Sequence, residues 1–250
     1  MMKKLIAVLA LALLVCAGAL AAPVDLKTAP EAIPTQEEGT LETFGLTFPQ
    51  EMPLAARNFV LTARAEFEKY PFVKLPKAND YTHWYYEDER EIGWCSVFQI
   101  YCAYHSGVQL IKHKQEAAVD DGDVISAMEG RVGNVYYVFD AYGRWQQADK
   151  MEAIPKPGAI VIYGKRGSTP YTHVGIVETV VELGDGMYEL TTLEGNVNST
   201  IKRMNYRYDA TPKRKYYNMS VIPEEEITQE NCQYTLHSKD WYITGFGYTW

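Results

Sequence analysis

The chain has 250 residues, 47% of them hydrophobic and 22% charged, with 24 basic against 32 acidic side chains and a formal net charge of −8. A length of this order suits one domain with an attached tail. The acidic balance argues against nucleic acid as a partner, since that affinity rests largely on neutralising phosphates, and neither a basic patch nor an internal repeat is visible.

The chain begins MMKKLIAVLALALLVCAGALAAPVD. Two lysines, an apolar run from Leu5 and small residues at Ala19 and Ala21 have the layout of a secretory signal peptide over residues 1–21, with cleavage expected after Ala21. The strongly apolar part is shorter than the ~20 residues a spanning helix needs, and Pro23 and Asp25 follow directly. Cys16 is a poor lipid acceptor, because Val15 stands where a small residue is expected. The expected mature protein is exported, extracytoplasmic and without a stable membrane anchor. Loss of Lys3 and Lys4 takes its formal charge from −8 to −10.

Residues 22–53 are rich in Pro, Thr and Glu and lack a sustained apolar period, which predicts a flexible lead-in. The folded domain is expected over residues 54–250. In LAARNFVLTARAEFEKY, Phe59, Val60, Ala63 and Phe67 recur at helical spacing and Pro71 ends the run. After the charged stretch EDERE, the residues Trp94, Val97, Phe98, Tyr101, Cys102 and Tyr104 predict a second helix that is apolar on most sides and therefore central. Downstream the period becomes that of strands. Segments 158–163, 172–181, 187–194, 199–208, 216–222 and 241–248 are β-branched or aromatic and are separated by Gly, Pro, Asn and Asp. Helices first and strands afterwards predict an α+β fold in which the Cys95 helix packs on an antiparallel sheet.

After removal of residues 1–21 three cysteines remain, Cys95, Cys102 and Cys232, so at least one thiol is free or bonded between molecules. Cys95 and Cys102 lie seven apart on one helix, about 10 Å of rise, too far to bridge. A Cys102–Cys232 bridge would leave Cys95 free, and the alternative for Cys102, which we prefer, is a small apolar core residue.

Cys95 falls in the first turn of its helix. Unpaired backbone N–H groups and the positive end of the helix dipole favour a thiolate there, and the same groups can hold the oxyanion formed when a thiolate attacks an amide. Most cysteines in apolar helices are inert, so the position gains weight only with a base and a residue to orient it. Of five histidines, His83 lies in an aromatic loop, His105 and His113 beyond the helix, and His237 in a polar segment. His173 opens the apolar strand THVGIVETV, where the backbone is rigid. The next strand ends TTLEGNVNST, so Glu194 or Asn196 could accept the His173 ring N–H and fix its tautomer. EGN is also ordinary turn chemistry.

Together these segments resemble the CHAP domain, a branch of the papain-like NlpC/P60 superfamily of bacterial cell-wall hydrolases. The resemblance runs through GWCSVFQIYCAYHSGV (93–108), YGRW (142–145), PKPGAIVIYG (155–164), THVGIVETV (172–180), TLEGNVN (192–198) and ITGFGY (243–248). It implies a papain-like fold with Cys95 as nucleophile, His173 as general base, Glu194 as orienter and Asn196 close to the site. The implied reaction is hydrolysis of an amide in the peptide part of peptidoglycan through a thioester, as an N-acetylmuramoyl-L-alanine amidase or an endopeptidase. No cofactor is implied.

The sequence departs from the family in several places. Ser96 and Val97 follow the nucleophile where Ala and a variable residue are common, and Ala159 replaces an acidic residue. Some members bind calcium through carboxylates upstream of the nucleophile and one two positions after it; Val97 cannot ligate, and Asp80, Glu87 and Asp88 read as a solvated loop, so no required metal is expected. Residues 223–240 read as an insertion. Among the aromatics Tyr81, Trp84, Tyr85, Tyr86 and Trp94, the residues Trp84, Tyr85 and Trp94 are the expected substrate contacts, against the commoner reading of a cap on a buried helix. The alternative function is a non-catalytic module that binds wall peptide or a partner with the same fold.

Overall fold

The computed structural model describes residues 44–70, 73–88, 90–212, 216–222, 233–234 and 240–250. The expected signal peptide, most of the lead-in, Cys232 and nearly all of the expected insertion lie outside these residues.

Among the described residues three helices come first: α1 (Leu54–Lys69), α2 (Asp80–Tyr86) and α3 (Cys95–Tyr104). A short parallel pair, β1 (Gln109–Ile111) and β2 (Ile125–Ala127), and a further helix α4 (Val132–Ala141) follow. The rest is sheet: β3 (Trp145–Gln147), β4 (Ile160–Lys165), β5 (His173–Gly184), β6 (Met187–Val197), β7 (Thr200–Asp209), β8 (Met219–Val221), β9 (Gln233–Tyr234) and β10 (Trp241–Gly247). The strand order is β3-β10-β4-β5-β6-β7-β8, antiparallel throughout, with β9 added parallel to β7. The fold is α+β.

The sheet has two apolar faces because its central strands are buried on both sides. On one face, Phe59, Val60, Ala63 and Phe67 of α1 and Val97, Phe98 and Cys102 of α3 meet Val174, Ile176, Leu193 and Ile201. On the other, Val161, Tyr163, Val177, Leu190, Tyr206, Tyr208, Ile243 and Phe246 form a second core. Each fully buried aliphatic or aromatic side chain stabilises by about 1.5–3 kcal/mol relative to exposure. Asn218, just before β8, donates its side-chain amide to the Ile243 carbonyl at 2.7 Å and accepts the Ile243 N–H at 3.0 Å. That double bond to β10 ties the far edge of the sheet back to its beginning and closes it around the second core.

α2 occupies a stretch that the sequence reading leaves as an aromatic loop. Its start is chemically well defined: the Asn79 side chain accepts the backbone N–H groups of Tyr81 at 3.0 Å and Thr82 at 3.2 Å, while Thr82 Oγ1 accepts the Asn79 N–H at 2.8 Å. This reciprocal pair satisfies the orphan donors of a first turn. His83 therefore lies on a helix. Cys102 is buried in the first core as a free thiol.

Candidate active site

Cys95 is the first residue of α3, and Trp94 at its N-cap offers no side-chain hydrogen bond to the open backbone donors. Those donors are consequently available to the thiol, and the backbone N–H groups of Ser96 and Val174 both bond to it. Trp94 anchors the turn from below: it is 0% exposed, stacks on Tyr81 with ring centroids 5.7 Å apart and packs against Gly195 of β6. A Cβ on Gly195 would stand 2.5 Å from Phe98 Cβ and 3.0 Å from Trp94 Cζ3. Only glycine lets α3 approach the strand this closely.

His173 is the first residue of β5, held in register with Tyr163 of β4. Its Nε2 lies 2.8 Å from Glu194 Oε2, and its ring is hydrogen-bonded to the Cys95 thiol. With Nε2 engaged by the carboxylate, Nδ1 is the nitrogen that meets sulfur. The ring also stacks on Tyr163, centroids 5.7 Å apart, with Trp241 edge-on at 6.3 Å. The imidazole thus has its orientation fixed on three sides.

Glu194 is fully buried, yet its carboxylate is well supplied with donors. Oε1 accepts hydroxyls from Thr192 at 2.7 Å, Tyr206 at 2.7 Å and Tyr163 at 2.8 Å, while Oε2 faces His173. A carboxylate removed from water remains charged only when such partners replace the water. Gly175, on β5, makes room for it, since a Cβ there would stand 2.8 Å from Glu194 Cγ.

The charges reinforce one another. Burial alone would push the Cys95 thiol up, but its hydrogen bond to His173, the imidazolium charge and the two backbone N–H groups outweigh it and hold the thiol below its ordinary value. Burial alone would likewise lower His173, and the bonds and charges of Cys95 and Glu194 raise it instead, to about 10. Both shifts favour a thiolate–imidazolium pair at neutral pH. Burial and the Glu194 charge push Tyr163 and Tyr206 far up, so both phenols keep their protons and act as donors.

Four sequence-predicted residues, Cys95, His173, Glu194 and Asn196, therefore gather at one place. Asn196 does not receive the His173 N–H; that bond goes to Glu194. It follows a break in the β6–β7 register, has φ 61°, and sets its Nδ2 beside Gly93, just ahead of Trp94 and Cys95.

Of the expected aromatic contacts, Trp94 needs correction. Trp94 is enclosed in the core and touches no solvent. Trp84 packs against Tyr101, Tyr104 and His105, at centroid distances of 5.3, 5.2 and 6.1 Å. These residues lie at the far end of α3, roughly 10 Å or more along the helix from Cys95. Tyr85 turns onto Tyr86, 4.6 Å away, and onto Gly130. Tyr86 carries the Arg90 guanidinium 4.4 Å above its ring, and the Cys95 charge is among the influences that raise its phenol after burial. Tyr163, Thr192 and Tyr206 escaped the sequence reading as well. The two-residue period puts Thr192 on Glu194's face of β6, but Tyr163 and Tyr206 come from other strands and only the strand pairing brings them there.

Among the described residues no group of three or more His, Cys, Asp or Glu side chains is placed to hold a metal ion. Val97 lies in the core and Asp88 is paired with Arg90 at 2.7 Å.

Residues 81–196 match the family model described as the CHAP domain. The matched stretch runs from Tyr81 in α2 to Asn196 and contains Cys95, His173 and Glu194. No curated protein and no solved structure matches the chain.

Proposed function

We propose that this chain, whose residues 81–196 match the CHAP domain model, is a hydrolase that cleaves an amide bond in the peptide part of peptidoglycan with Cys95 as nucleophile, His173 as proton carrier and Glu194 as orienter. The observation that carries this reading is the His173 ring seated between the Cys95 thiol and a buried carboxylate, Nε2 to Oε2 at 2.8 Å.

The Cys95 thiolate attacks the carbonyl carbon, and the negative charge moves to the carbonyl oxygen. Backbone N–H groups at the uncapped start of α3 stabilise that charge as it forms. The His173 imidazolium gives its proton to the leaving amine, the C–N bond breaks, and a thioester remains on Cys95. His173, now neutral, takes a proton from a water molecule that attacks the thioester. Collapse of the second oxyanion releases the acid and restores the thiolate with its imidazolium partner. Throughout, Glu194 holds Nε2–H, so the proton is exchanged at Nδ1 alone. A helix-borne thiol facing a strand-borne imidazole supports the papain-like arrangement. Export by residues 1–21 is part of the same proposal, since the polymer lies outside the cytoplasm.

The test is a digest of purified peptidoglycan sacculi by the protein and by Cys95→Ala, with released fragments read by mass spectrometry. New muropeptides from the unsubstituted protein and none from Cys95→Ala are the expected result, and the fragment masses identify the bond. Equal fragment release by both proteins would remove Cys95 from the chemistry, and no release from several wall types by the folded protein would favour a peptide-binding module.

A further inference from the structure

Glu194 Oε2 faces the imidazole, and three hydroxyls from three strands converge on the other oxygen, Oε1: Tyr163 from β4, Thr192 from β6 and Tyr206 from β7. All three belong to the inner face of the sheet, and Tyr163 and Tyr206 are fully buried in the second core. Packing alone would be served there by phenylalanine. Buried hydroxyls aimed at a single oxygen are costly unless they do electrostatic work.

We infer that Tyr163, Thr192 and Tyr206 are positioning residues that keep Glu194 ionised and aimed at His173, and so set how much of Cys95 is thiolate. A carboxylate with no exposure to water favours its neutral form. Three neutral donors on Oε1 reverse that preference without adding a positive charge that would compete with the imidazolium. Besides the imidazolium on β5, Lys202 of β7 faces Glu194 as its partner in the β6–β7 register, and burial disfavours the charged form of that lysine. If the hydroxyls are removed, the proton on Nε2 moves toward Glu194, the imidazole becomes neutral, and the thiolate loses its counter-charge.

This inference rests on the reading of Cys95 and His173 as a working pair, but its test needs no substrate. The rate at which iodoacetamide alkylates Cys95 is followed from pH 4 to 10 by mass of the Cys95 peptide, which reports the thiolate fraction directly. Tyr163→Phe, Tyr206→Phe and the double variant keep the rings and lose the hydroxyls. Each single variant is expected to move the alkylation midpoint upward by about half a pH unit or more, with a larger shift in the double variant. Thr192→Val should do the same and Thr192→Ser should restore it, which keeps the test intact if a phenylalanine variant fails to fold. Folded variants whose midpoints coincide with the unsubstituted protein would overturn the inference, even if their melting temperatures fall, because a purely structural role moves stability and leaves the titration in place. Failure of the underlying pair would look different: the midpoint would already be that of an ordinary thiol, unmoved by His173→Ala.

Discussion

A single missing methyl group explains why the histidine motif reads HVG. Gly175 lies two residues beyond His173 on the same strand face, and a Cβ there would stand 2.8 Å from Glu194 Cγ and 3.4 Å from Cδ. Glu194 cannot retreat without breaking its bonds to His173 and the three hydroxyls. Gly175→Ala should therefore fold and lose activity. Displacement of an orienting group by about 1 Å costs up to ~100-fold in rate, so kcat on a soluble muropeptide is expected to fall by at least about tenfold. A kcat equal to that of the unsubstituted enzyme would show that the carboxylate has more freedom than its contacts imply. At this scale the meeting of Cys95 and His173 was legible, because a thiol in a first helical turn and a histidine opening a strand have chemical reasons to be where they are, whereas the residues alone left the third partner open between Glu194 and Asn196. The supporting shell was not legible. Nothing in the residue type distinguishes Tyr163 or Tyr206, whose hydroxyls bond the Glu194 carboxylate, from Tyr208, which serves the same core.

Among elements, the contact that matters most is α3 against β6. Glycine at 195 allows Phe98 and Trp94 to lie directly on the strand, and this approach sets the height of Cys95 over His173. Gly195→Ala inserts a Cβ 2.5 Å from Phe98 Cβ. Overpacking of this kind costs roughly 1–3 kcal/mol, and in a domain of this size each kcal/mol lowers Tm by about 2–4 °C. Thermal unfolding should show a loss of several degrees; an unchanged Tm would mean the helix is not held where described. The long strands were readable because alternation and flanking turn residues agree over eight or more positions. α2 was not, since DYTHWYY has no apolar period and is specified instead by the Asn79–Thr82 cap and by aromatic packing. The segments β1, β2 and β3 are three residues each, too short for a period to register.

For the whole molecule, the two faces of the sheet divide the labour. The helix face brings the thiol, and the enclosed face supports the carboxylate through buried hydroxyls, so the imidazole sits where the two meet. The helix layer is tied to the sheet by charge as well. Glu178 of β5, fully buried, bonds Arg64 of α1 at 2.9 Å and Arg203 of β7 at 2.5 Å, which fixes α1 to the sheet. That network was invisible in the sequence, because its members are 114 and 25 residues apart. Division of the site between two packed layers also predicts its pH response. Acid protonates a thiolate whose pKa is depressed by His173, and base deprotonates an imidazolium raised to about 10 by Cys95 and Glu194. The active ion pair exists between these limits, and the two apparent values belong to the pair as a unit. The measurement that tests this most directly is the pH profile of kcat/KM for muropeptide cleavage between pH 4 and 11. The ion pair predicts a plateau through neutrality with a fall on both sides; a rate that climbs steadily from pH 5 to 10, as expected for an isolated thiol, would contradict it.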